Sequence, residues 1–142
     1  MIYVKIKLIE GGKLPEYKRI SDACLDCYAR INSDFITIPK RTRDLIPLGF
    51  ALELPASYEA VIRPRSGLTK NGIDIAIGTG DENYRGELMA NVINNSDEDF
   101  VIKNGDRICQ MAIREAPKVF FEIVETLSET NRGDAGFGSS GI

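Results

Sequence analysis

Gly78-Thr79-Gly80-Asp81-Glu82-Asn83-Tyr84-Arg85-Gly86-Glu87, followed by the run Leu88-Met89-Ala90-Asn91-Val92-Ile93-Asn94, is the stretch on which the fold turns. The second run reads as a strand, so the first reads as the tip of a hairpin entered from Ile73–Ile77. A Gly-Thr-Gly sequence frees the main chain and lets another molecule approach it closely. Asp81 then stands beside an open surface, with the flat amphipathic ring of Tyr84 three residues on. Taken alone, the segment is equally readable as an ordinary polar turn.

Working outward, short alternating runs dominate. Residues 2–8, Leu25–Ile31, Phe35–Ile38, Leu45–Leu54, Tyr58–Arg63, Asp99–Ile102, Arg107–Arg114 and Lys118–Val124 are strand expectations, parted by Gly, Pro, Asn and Asp turns. Only Arg65–Asn71 breaks the rule: Ser66 can cap one or two helical turns that end at Gly72. Many short strands at even spacing with almost no helix predict an all-β sandwich, jelly roll or distorted barrel with one short helix. From Thr126 the chain turns rich in Gly, Ser, Asn and Thr. The expected division is therefore a domain over 1–125 and a mobile arm over 126–142.

Composition narrows the chemistry. The 142 residues carry 18 Lys and Arg against 21 Asp and Glu, a net charge of -3 with the signs interspersed, so no basic field points to nucleic acid. No apolar run reaches the length of a membrane span, and the first residues alternate rather than form a leader, which makes the cytoplasm the expected location. The chain has no histidine, so a general base near neutral pH must be a carboxylate, thiolate, lysine or water. Cys24, Cys27 and Cys109 are too few for a disulfide framework or a four-ligand zinc site and are expected to be small buried hydrophobes.

Three further groups carry chemistry. Arg65-Ser66-Gly67 opens the short helix, either as a cap beside a surface arginine or as an anion site with free N–H groups. Gly105-Asp106-Arg107-Ile108-Cys109-Gln110 is a turn and strand in which Gln110 can offer an amide to phosphate or water. Arg132-Gly133-Asp134-Ala135-Gly136-Phe137-Gly138-Ser139-Ser140-Gly141 sets one cation, one ring and two hydroxyls on a glycine-rich backbone. It is either a solubilising tail or a lid that stacks a base and holds phosphate.

In order along the chain, Ala23–Ala29 with Asp26, Pro64–Leu68, Gly78–Glu87, Gly105–Gln110 and Arg132–Gly141 resemble the five motifs of the trimeric dUTPases. The resemblance implies a jelly-roll homotrimer with shared active sites and a C-terminal arm that can be exchanged between copies. The implied reaction is hydrolysis of dUTP to dUMP and pyrophosphate with Mg²⁺, limiting uracil in DNA and supplying dUMP for thymidylate synthesis. By the same resemblance Asp81 activates the attacking water, Tyr84 packs beneath the deoxyribose, and the main chain of Ile77, Gly78, Thr79, Gly80 and Asp81 reads uracil. Met89 falls in the substrate-contact zone just after the hairpin. Arg65, Ser66, Gly67 and Gln110 correspond to phosphate contacts; Arg132, Gly138, Ser139 and Ser140 to the γ-phosphate clamp; Phe137 to the ring stacked on the base. Mg²⁺ is held by triphosphate and water with no direct protein ligand, and Asp26 steadies its waters. No nucleic-acid or membrane partner is implied. Cys24, Cys27, Gly80, Asn83, Ala135 and Ser140 depart from the common pattern, and Ile75 stands where some members carry a base-facing Asn. Two other readings stand beside it: a dCTP deaminase of the same fold, for which no glutamate-centred motif is found, and a nucleotide-sensing regulatory protein.

Overall fold

The structure, a computed structural model, describes residues 2–134. Eleven strands and one short helix follow in order among them: β1 Lys5–Leu8, β2 Leu25–Tyr28, β3 Phe35–Ile38, β4 Arg43–Pro47, β5 Phe50–Glu53, β6 Tyr58–Arg63, α1 Ser66–Thr69, β7 Ile73–Ile75, β8 Gly78–Gly80, β9 Met89–Asn94, β10 Phe100–Lys103 and β11 Arg107–Glu115. The all-β expectation with one short helix holds. The strands form a four-stranded sheet β2-β11-β6-β8, a three-stranded sheet β4-β9-β7, and the pairs β1-β5 and β10-β3. Every named pairing is antiparallel.

β11 lies inside its sheet, flanked by β2 and β6, and buries Ile108, Cys109, Met111 and Ala112. Phe50, Ile38, Ile46, Leu48, Ile62, Ile102 and Val92 belong to the same core. Each such side chain contributes roughly 1.5–3 kcal/mol relative to exposure. Asn94 is the buried polar residue of this core, and its amide is fully used. It donates to the Ile38 and Glu98 carbonyls at 3.0 and 2.8 Å and accepts from the Ser96 N–H and hydroxyl at 3.0 and 2.7 Å. Cys27 and Cys109 face each other across β2 and β11, both fully buried. Their mutual hydrogen bond, reinforced by burial, pushes the Cys27 thiol up, so it stays protonated and behaves as a small apolar group. Cys24 is half-buried.

Four local expectations are corrected. The apolar run 45–54 is two strands, because Gly49 turns the chain with φ +79 and lies so close to Gly12 that no Cβ fits. Ser66 does not cap α1; Arg65 occupies the N-cap with extended backbone and no side-chain cap bond. Gly78–Gly80 does not close on β9 as a hairpin tip. β7 pairs with β9, while Gly78–Gly80 crosses to pair with β6. Lys118–Val124 forms no strand: it runs on from β11 with Phe120, Phe121 and Ile123 more than nine-tenths exposed.

Candidate active site

Asp26, Arg65, Arg107 and Gln110 gather around β2, β11 and the end of β6 in the four-stranded sheet. Register puts Asp26 of β2 opposite Gln110 of β11, and Gln110 opposite Arg63 of β6, whose continuation carries Arg65 back over the sheet. Arg65 Nε donates to Asp26 Oδ1 at 3.2 Å, and Arg107 Nη1 donates to Asp26 Oδ2 at 3.0 Å. Arg65 Nη1 also donates to the Arg107 carbonyl at 2.9 Å, while Gln110 Nε2 donates to the Pro64 carbonyl at 2.8 Å. One carboxylate, only 14% exposed, thus fixes two guanidiniums side by side. The three charges leave a local excess of one positive, which suits an anion. Ser66 and Gly67 are exposed beyond them, with open space around Gly67. Sequence reasoning named Asp26, Arg65 and Gln110 but gave Arg107 no part in the site. Its 81-residue separation from Asp26 is what hid it.

The second group lies on the excursion between β7 and β9. Ala76 makes the last ladder bond, donating to the Asn91 carbonyl at 3.0 Å, and Ile77 then points outward, 73% exposed. Gly78, Thr79 and Gly80 pair with Ile62, Val61 and Ala60. Gly80 is buried where an added Cβ would meet Leu88 and Ala60 at 3.1 and 3.3 Å, so this neighbourhood leaves little room for a side chain at that position. Asp81 follows, exposed, in a turn closed by the Tyr84 N–H on the Asp81 carbonyl at 3.0 Å. Asp81 and Tyr84 share a small recess with Leu52, Leu54, Ala60, Gly80 and Leu88. On its other side Asp81 borders a polar cavity of about 330 Å³ with Tyr58, Glu59, Glu82, Asn83, Ala116 and Lys118. Glu82 accepts the Ser57 N–H at 2.5 Å, which holds its carboxyl below the usual range, and it lies 3.5 Å from Lys118 at the root of the arm.

Glu87 fastens the return limb. Its carboxylate takes Arg30 Nε and Nη2 at 2.8 Å each and the Gly49 N–H at 2.8 Å, with side chains about 20% exposed. The Arg30 hydrogen bonds, helped by that N–H, hold its carboxyl below the ordinary value of 4.5. A depressed folded-state value means stabilisation present above the unfolded value and lost as pH falls through the folded one. Urea unfolding should therefore show stability falling as pH drops below the ordinary carboxylate range, and Glu87→Gln should flatten that fall. An unchanged acid limb in the variant would remove Glu87 from the account.

The two groups are brought to one sheet but not to one pocket. Four adjacent strands at about 4.8 Å spacing put roughly 14 Å between Asp26 and Gly78, and β8 then carries Asp81 further along the sheet. The recess and the cavity that Asp81 lines include none of Asp26, Arg65, Arg107 or Gln110. Met89 opens β9, partly exposed, opposite Pro47. Arg132 is exposed on the surface. Phe137, Gly138, Ser139 and Ser140 lie outside the described residues.

Comparison with known proteins bears directly on this arrangement. A dUTPase family description matches residues 10–141. The chain is 46% identical over 145 residues to the deoxyuridine 5'-triphosphate nucleotidohydrolase of Maricaulis maris, covering 97% of this chain and 95% of that one. With the protein of the same name from Rickettsia felis it shares 48% over 144 residues, covering 98% and 97%. Among solved structures, the dUTPase of Staphylococcus bacteriophage 80alpha with dUpNHpp superposes with a TM-score of 0.90 over 100% of both chains at 23% identity. A variant dUTPase of phage phi11 of S. aureus, described with a structural Mg(II) ion, gives 0.81 over 90% of this chain and 100% of that one at 19% identity. At those identities the structures speak for the fold, and the sequence relatives for the family. The chain belongs to the dUTPase family.

Proposed function

We propose that this protein is a dUTP diphosphatase in which Asp81 takes a proton from water as that water attacks the α-phosphorus. The new bond is water oxygen to α-phosphorus; the bond from that phosphorus to the α–β bridging oxygen breaks, and pyrophosphate leaves with the electron pair. The observation that carries this reading is the exposed Asp81 carboxylate at the end of a Gly-Thr-Gly edge strand, in a histidine-free chain, with Tyr84 sharing its recess. Main-chain groups of Ile77–Asp81 read the uracil edge, and Tyr84 underlies the deoxyribose. Arg65, Ser66, Gly67 and Gln110, with Arg107 added by the geometry, hold phosphate oxygens through donors already set in place. Arg132, Phe137, Gly138, Ser139 and Ser140 close the site from the arm.

The donor set suits Mg²⁺ held by the substrate. Among the described residues no three Asp, Glu, Cys or His side chains gather as a metal group, and both Asp26 oxygens are engaged by arginines. Magnesium gives up its waters reluctantly and commonly binds through substrate phosphates, so triphosphate oxygens and water would supply its shell. When bound, it neutralises charge on the triphosphate. The protein's own share is to grip the phosphates and present the base.

A trimer accounts for two features of the single chain. The phosphate cluster and Asp81 lie too far apart to serve one nucleotide without help, and the root of the arm leaves Phe120, Phe121 and Ile123 exposed. An arm over 126–142 reaching a neighbour, with its apolar root covered by that neighbour, completes each site on a domain spanning 1–125. A cytoplasmic setting fits the nucleotide substrate.

A panel of dUTP, dCTP, dTTP and UTP, read by pyrophosphate release, tests the proposal. Only dUTP should turn over at a substantial rate, and EDTA should abolish it. Release of ammonia from dCTP, or equal pyrophosphate from all four, would overturn it.

A further inference from the structure

We infer that Gly86 and the Arg30–Glu87 ion pair are positioning residues for the Tyr84 ring, and that they set how strictly the site separates deoxyribonucleotides from ribonucleotides. The inference rests on the reading of Tyr84 as the wall beneath the sugar. A Cβ added at Gly86 would lie 2.3 Å from the Tyr84 hydroxyl oxygen and 2.5 Å from Cζ. The φ of Gly86 is outside the left-handed region, so its backbone is one that any residue can adopt. The ring above it is what demands glycine. Tyr84 therefore lies across the α-carbon of Gly86, and its hydroxyl donates to the Glu87 carbonyl at 3.2 Å.

That carbonyl is a fixed point. The Glu87 side chain is gripped by Arg30 from the end of β2 and by the Gly49 N–H from the β4–β5 turn. The next residue, Leu88, donates to the Phe50 carbonyl and accepts from the Leu48 N–H, each at 3.0 Å. Tyr84 is 47% exposed and shares its recess mainly with apolar side chains, so the Glu87 carbonyl is what fixes its hydroxyl end. A side chain at Gly86 would meet the far end of the ring, which can swing outward at little cost to the fold. A wall that yields cannot reject a sugar carrying one extra hydroxyl.

The test compares kcat/KM for dUTP and UTP in the full-length wild type, Gly86→Ala, Tyr84→Leu and the double variant. Gly86→Ala should lower the dUTP-to-UTP preference at least about tenfold, seen chiefly as a lower KM for UTP, with an unfolding temperature close to wild type. The double variant should show the preference of Tyr84→Leu alone, because both changes act through one ring. Arg30→Gln should weaken the preference in the same direction, which keeps the inference testable if Gly86→Ala folds poorly. A folded Gly86→Ala with wild-type preference, or a double variant in which the two effects multiply, would overturn it. A wild type with no preference for dUTP over UTP would instead overturn the reading of Tyr84 itself.

Discussion

Asp81→Asn should lower kcat for dUTP by about three to four orders of magnitude while leaving the affinity for a non-hydrolysable dUTP analogue within a few-fold of wild type. Asparagine keeps the size and the hydrogen-bonding reach of the side chain but cannot accept a proton at neutral pH. In a chain without histidine no imidazole can take over the role. Among the described residues the Asp81 side chain has no hydrogen-bond or ion-pair partner; the turn it begins is held by its carbonyl, and its neighbour Glu82 is the one tied to Ser57. The unfolding temperature should therefore stay near wild type. Single-turnover kinetics with analogue titration checks this, and a variant that turns over dUTP at the wild-type rate would remove Asp81 from the mechanism.

Removing residues 132–142 should lower kcat/KM for dUTP by about a hundred- to a thousandfold without unfolding the domain. The size follows from losing a base-stacking ring and a guanidinium contact to phosphate, each worth about 1–3 kcal/mol. The fold should survive because the last strand ends at Glu115 and the core lies wholly within β1–β11 and their turns. The Lys118–Glu82 pair at the root of the arm is also kept. Thermal unfolding together with dUTP kinetics decides the matter. Full activity in the shortened chain would show that 132–142 is a tail and not a lid.

Strands were legible where alternation and turn residues agreed. Phe35–Ile38 and Tyr58–Arg63 have in the structure the same bounds that the sequence predicts, because Asn32-Ser33-Asp34 and Pro64 mark their ends. The run 45–54 concealed its turn, since Pro47, Leu48 and Gly49 are bracketed by apolar residues and the tight Gly12–Gly49 contact joins distant segments. The partner of Gly78–Gly80 was equally out of reach: a local pattern announces a strand and a turn but not that β6 will claim the three residues. The apolar run Lys118–Val124 looks like a strand, yet the described chain offers it no ladder.

The site divides in the same way. Asp81, Tyr84, Arg65 and Gln110 could be named because their short motifs, taken in order, resemble those of the dUTPases. What holds them could not. Arg107 is drawn to Arg65 only through Asp26, and Arg30 reaches Glu87 across 57 residues. Gly86 carries no side chain to notice; its meaning is the ring above it. Sequence exposed the groups proposed to touch substrate, while the groups that hold them in place emerged from packing.

The most direct measurement is hydrolysis of dUTP in water enriched in heavy oxygen, with mass spectrometry of both products. Attack at the α-phosphorus, with Asp81 as the base, places one heavy oxygen in the phosphate of dUMP and none in pyrophosphate. Heavy oxygen in pyrophosphate with unlabelled dUMP would place the attack at the β-phosphorus and contradict the account.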